Sequence, residues 1–163
     1  MVTEPSWKLP SSRGWEILEC RIEQVSAFEG DLLILSSFTI ASNYWNRLEI
    51  IEKGTFNREL REDYVITFHQ VVSRRSQFLE LAAKLESWRQ SRTEMVCELT
   101  SEDRQLRLSL GENPKFLIER GKSSLNVNYK TLGLETMAAF IVDESCVAVA
   151  LDGLRRSFLE KLQ

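Results

Sequence analysis

The chain predicts an α+β fold, with about nine antiparallel strands and two amphipathic helices in the order ββββα-βββββα. Three observations carry this. Apolar residues recur at every second position over most of the chain, the pattern of half-buried strands. The stretches between them are short and turn-like, whereas a parallel crossover needs about a dozen residues or more. Two segments, one near 74–90 and one from 144 to the C-terminal end, change to helical spacing.

Residues 1–13 carry Pro5, Pro10 and Ser11-Ser12 and read as an N-terminal arm,. Residues 14–163 read as a single α+β domain, with halves at 14–92 and 93–163. From Trp15 the period is two: Leu18, Cys20 and Ile22 alternate with Glu19, Arg21 and Glu23. Glu29-Gly30-Asp31 marks a turn. Leu32, Ile34, Phe38 and Ile40 then line a long strand, with Leu33 and Leu35 on its other face, so both faces call for cover there,. Asn43 to Asn46 reads as a polar-aromatic connection. Leu48 and Ile50 mark a third strand and Tyr64, Ile66 and Phe68 a fourth. The charged segment Lys53 to Glu62 between them reads as a loop.

Phe78, Leu81, Ala82, Leu85 and Trp88 fall on one helical stripe,. They predict a helix over 74–90, with Ser73 as its N-cap. Alternation then resumes in five short strands around Met95–Leu99, Leu106–Leu110, Phe116–Ile118, Leu125–Tyr129 and 134–142. The other face of this meander reads Glu94, Glu98, Gln105, Arg107, Lys115, Glu119, Asn126 and Asn128, a polar surface open to solvent or to a partner. Val147, Ala150, Leu151, Leu154 and Phe158 predict the second helix, capped by Asp143,. A strand over 146–151 is the alternative. Gly153, costly inside a helix, marks a candidate break. Arg74–Glu80 and Arg155–Glu160 echo each other across a one-residue gap.

Composition bounds the function. The 163 residues are 43% hydrophobic and 28% charged, with a net charge of −3. A chain of this size buries roughly 70% of its unfolded surface and needs no metal or disulfide to hold a core. Cys20, Cys97 and Cys146 are odd in number and scattered, which fits a reducing cytoplasm and small buried side chains. No signal-peptide or membrane-spanning apolar run is present,. The 21 basic and 24 acidic residues are too balanced for a generic polyanion binder, so neither nucleic acid nor membrane is expected as a partner.

Common catalytic sets are missing. One histidine, His69, is present, so nucleophilic Ser or Cys chemistry has one candidate base,. His69 falls on the strand face of Val65, Thr67 and Val71 and reads first as a structural residue. The cysteines lack the paired spacing of a zinc site. Gly121-Lys122-Ser123 ends like a phosphate loop, but Phe116 stands where the first Gly belongs,. No cofactor or metal is expected.

The order of elements carries a family resemblance. Asp63-Tyr-Val-Ile-Thr67-Phe68 leads into the helix of Phe78, Leu81, Leu85 and Trp88; Phe140-Ile-Val-Asp143 leads into Leu151, Leu154 and Phe158. Over residues 60 to 162 this resembles the WapI-type bacterial immunity proteins and neighbouring families. The resemblance implies a small antidote that binds a cognate toxin without catalysis; it transfers no binding residue. The leading expectation is thus a non-enzymatic protein-binding protein. Tyr44, Trp45, Trp15 and Trp7 are its candidate exposed aromatic anchors. His69 joins them as a binding candidate, chiefly for the rival reading: a small-ligand-binding protein or enzyme with a pocket between sheet and helix. A third expectation is a self-associating structural protein, using an edge strand or an apolar helix face.

Overall fold

The computed structural model describes residues 6–51, 55–99, 104–112 and 123–160, with the backbone alone at 44–51, 55–62, 112 and 158–160. Two four-stranded antiparallel sheets each lead into a helix. Sheet A runs β1 (Ser6–Pro10), β2 (Glu16–Phe28), β3 (Asp31–Ile51), β4 (Thr55–Arg74), followed by α1 (Arg75–Ser91). Sheet B runs β5 (Met95–Glu98), β6 (Gln105–Glu112), β7 (Ser123–Lys130), β8 (Glu135–Val142), followed by α2 (Glu144–Leu154). Strand order in each sheet follows the chain. The α+β class and two-helix layout match the sequence reading; among the described residues the strands number eight, where about nine were expected. The strand expected around Phe116 and Ile118 lies outside the described residues.

The strands of the first half are divided differently from expectation. Ser6–Pro10, read as part of an arm, is strand β1, paired with β2 from Ser6 opposite Arg21 to Pro10 opposite Ile17. Its alternation buries Trp7 and Leu9 and leaves Lys8 out. Pro10 is tolerated because it closes an edge strand. The segments around Ile40 and Leu48 are one strand, β3, and the charged stretch expected to be a loop is mostly β4. β2 stops pairing at Glu16 opposite Ser42. Beyond that point β3 and β4 continue as a two-stranded ribbon, pairing as far as Ile51 opposite Thr55. The β3 half of this ribbon holds the alternating Leu48 and Ile50, and the β4 half holds the charged stretch.

Two β-bulges keep the apolar residues inward. One shifts the β2/β3 register between Ile22 and Gln24; the other shifts β3/β4 between Ser36 and Phe38. At the second, Gln70 adopts φ 56°. The extra residue lets Tyr64, Ile66 and Phe68 face the core before the bulge and Val71 and Ser73 after it. His69 therefore does not share a face with Val71, as simple alternation implies; it is exposed while Val71 is buried,.

One core joins both halves. Phe68 of β4 stacks on Tyr129 of β7 with centroids 3.9 Å apart. Trp7 meets Phe38 edge-on at 6.1 Å. α1 buries Phe78, Leu81, Leu85 and Trp88, the stripe read from the sequence. Arg74, not Ser73, is its N-cap; the Arg74 N–H donates to Gln77 Oε1 at 2.8 Å, while Ser73 still belongs to β4. Leu33 and Leu35, on the outer side of β3, are half-buried.

Residues 146–151 are helical, within α2. Asp143 caps it, accepting from the Cys146 N–H at 3.2 Å. The Ser145 hydroxyl and then the Cys146 thiol and N–H bond the same carboxylate and hold Asp143 below its ordinary pKa of 3.8. A lowered folded-state pKa stabilises above the unfolded value and is lost as pH falls through the folded one. Asp143→Ala is expected to cost about 1 kcal/mol near neutral pH. In thermal melts the gap to wild type should narrow as the pH drops below the ordinary aspartate range; a gap constant into strong acid contradicts this cap.

Gly153 does not break α2, which continues to Leu154 and passes into a π-helical segment, Arg155–Glu160. The echo of Arg74–Glu80 with Arg155–Glu160 is not structural: the first begins α1 and the second follows the end of α2. What repeats is the ββββα order. α1 and α2 are laced by Arg92–Glu144 at 3.0 Å and Arg155–Glu86 at 3.3 Å. Among the described residues no helix is long and apolar enough to cross a membrane.

Candidate functional site

The outer face of sheet B holds a surface depression. Alternation on β6 turns Leu106, Leu108 and Leu110 into the core and Arg107 and Ser109 outward; β7 likewise turns Asn126 and Asn128 outward. On β8, Met137 and Ala139 point the same way. The register sets Arg107 opposite Asn128, and Asn128 opposite Met137; one step along, Ser109 faces Asn126 and Asn126 faces Ala139. Small residues at Ser109 and Ala139 leave a trough of about 350 Å³ between longer ones.

Its chemistry is one cation, two amides, a hydroxyl and an apolar wall. Asn126 Nδ2 donates to Ser124 Oγ at 3.2 Å, fixing one amide. Among the described residues Arg107 forms no ion pair, although Glu98 of β5 lies opposite it. This trough offers charge-assisted hydrogen bonds to an acidic group together with side-on apolar contact at Met137. Three of these residues, Arg107, Asn126 and Asn128, belong to the polar strand face read in the sequence. Ser109, Met137 and Ala139 were missed, yet their strand parity is the signal that places them there.

A second cleft, of about 240 Å³, lies between α1 and β5, lined by Lys84, Ser87, Trp88, Thr93, Glu94, Met95 and Val96. Its ammonium is already engaged: Lys84 Nζ donates to the Val96 carbonyl at 2.6 Å and pairs with Glu80 at 2.8 Å. The Glu80 hydrogen bond raises the Lys84 pKa. This lysine covers the β5 edge.

The residues singled out in the sequence do not form one site. The side chains of Tyr44 and Trp45 lie outside the described residues; their backbone belongs to β3, opposite Glu62 and Arg61. Trp15, 39% exposed, precedes β2, and its carbonyl accepts from the Asn43 N–H at 2.9 Å. Trp7 is not an exposed anchor: at 1% exposure it fills the core beneath α2. His69 is exposed on β4, where its carbonyl and that of Gln70 accept from the Arg104 guanidinium. It stands five residues along β4 from Tyr64, which pairs with Ser42 at the Trp15 end, a distance of about 17 Å.

His69 is exposed and the three thiols are not. All three are buried, Cys20 on the inner face of sheet A opposite to it. Burial pushes the Cys20 thiol far up and Cys97 to about 11, and it also raises Cys146. Groups so protonated near neutrality are poor nucleophiles. Among the described residues no three His, Cys, Asp or Glu side chains converge as metal ligands.

No family model matches the chain, and no curated protein matches it. Among solved structures, the crystal structures of Trypanosoma brucei MRP1/MRP2 align over 95% of this chain and 84% of that one, at 12% identity and a TM-score of 0.41.

Proposed function

We propose that the protein is a non-enzymatic binding protein, and that its partner is another protein docked on the outer face of sheet B. The observation that carries this reading is Arg107, an exposed guanidinium without an ion pair among the described residues, set in a neutral trough of amides and small side chains. A partner carboxylate would supply the missing charge, and Met137 and Ala139 would supply the apolar contact that anchors need. The trough lies on the solvent side of a sheet, where a protein surface can reach it. The buried, protonated thiols support binding over chemistry. An antidote role toward a toxin, in the cytoplasm, is the form suggested by the immunity-protein resemblance and by three free cysteines.

The test is capture by the tagged wild-type chain from its native host, then titration with the purified partner. Arg107→Glu should weaken that binding by about 100-fold, as for a central charged anchor, at a stability cost of about 1 kcal/mol or less, because the new carboxylate faces Glu98 across β5 and β6,. Binding should survive nuclease treatment. Unchanged affinity in the variant, or capture abolished by nuclease, overturns the reading.

A further inference from the structure

We infer that the protein forms a two-fold dimer by antiparallel pairing of β8 with β8 of a second copy. Each sheet has two edges, and three of the four are guarded in ways that proteins use against edge pairing. β1 lies under α2, and Ser157 Oγ donates to the Ser6 carbonyl at 2.9 Å. At β5, Lys84 and Gln77 of α1 donate to the Val96 and Glu98 carbonyls. β4 carries the charged run Arg58, Glu59, Arg61, Glu62 and Asp63, its bulge, and the Arg104 clamp on His69 and Gln70.

β8 has none of these between 135 and 139. Its sequence there is Glu-Thr-Met-Ala-Ala, with no proline, lysine or bulge. The Thr131 N–H bonds the Leu134 carbonyl at 2.8 Å, so even-numbered residues of β8 face β7. The Ile141 carbonyl faces away and accepts from the Ser12 N–H at 2.9 Å. By alternation Glu135, Met137 and Ala139 present both N–H and C=O outward, and among the described residues nothing pairs with them. Beside this open edge stand apolar side chains that water covers poorly: Met137 at 70% exposure, Leu134 at 54% and Leu132 fully exposed.

One register satisfies the edge completely. With Met137 opposite Met137 of the second copy, Glu135 falls opposite Ala139 and Ala139 opposite Glu135. All three outward residues then exchange N–H···O=C bonds with their counterparts. No like charges face each other, and Ile141 keeps its bond to Ser12. The 131–134 turn carries the chain back to β7 before it reaches that point. The contact is isologous and closes on itself, so it gives a dimer rather than a fibre. It also joins the two sheets B into one eight-stranded surface, with both Arg107 troughs on the same face.

Sedimentation velocity on the purified full-length chain, over a concentration series, tests this without any partner. The wild type should pass from monomer to dimer and no further. Met137→Lys and Met137→Glu, each placing like charges face to face, should weaken association by about 100-fold or more. Mixing the two variants should restore a heterodimer, because residue 137 meets residue 137. Amide exchange at Met137 and Ala139 should slow as concentration rises, which reports on the edge with no substitution at all. A wild type that stays monomeric, variants that dimerise normally, or a mixture that stays monomeric overturns the proposal.

Discussion

Gly153→Ala is expected to lower stability by about 1–3 kcal/mol, the opposite of what helix propensity dictates. In an open helix this change gains about 1 kcal/mol. Here a Cβ on residue 153 would lie 2.9 Å from Trp7 Cβ and 3.0 Å from Trp7 Cα. Neither atom can swing aside as the end of a flexible side chain could. β1 would have to move as a strand, and it is held by its register with β2 and by Ser157 on the Ser6 carbonyl. For a chain of this size the expected fall in melting temperature is about 5 °C. A variant as stable as wild type, or more so, would mean that β1 does not pack on α2 as closely as described.

Trp7→Ala is expected to cost about 3–5 kcal/mol and to lower the melting temperature by on the order of 10 °C. Trp7 is among the largest fully buried side chains and meets Phe38 edge-on. It lies where α2, from the second half, covers β1 of the first. Removing it opens a cavity between elements that are far apart in sequence, so the site cannot close by a local shift. Trp7→Phe should be much milder, below about 1.5 kcal/mol, because it preserves most of the volume. Urea midpoints for the two variants check both; equal losses would point to a cost other than cavity formation.

These two residues also show what the sequence made legible. Alternation at Leu18–Ile22, Leu106–Leu110 and Leu125–Tyr129, and the stripe from Phe78 to Trp88, are visible because a half-buried element must repeat its apolar face with its own period. β1 carries two apolar residues between prolines, too few to show a period, and it is buried by a helix nearly 150 residues away. Gly153 reads as a helix breaker until the backbone of Trp7 is placed against it. The first part of β4 carries Arg58, Glu59, Arg61 and Glu62, and a run of charges without an apolar period reads as a loop,. The bulge at Gln70 reverses the facing of Val71 relative to His69, and nothing in the local composition announces it. On the candidate surface, Arg107, Asn126 and Asn128 could be read from strand parity. That they meet Ser109, Met137 and Ala139 in one trough depends on the β6-β7-β8 register.

The outer face of sheet B is the proposed docking place of a partner protein. The most direct measurement is a titration of the isotope-labelled chain with its purified partner, followed by amide chemical shifts. The expected result is a contiguous set of perturbed amides at Arg107, Ser109, Asn126, Asn128 and Ala139, absent when Arg107→Glu is titrated under the same conditions. Shifts confined to α1, α2 or the outer face of sheet A, with those five amides unmoved, would contradict it.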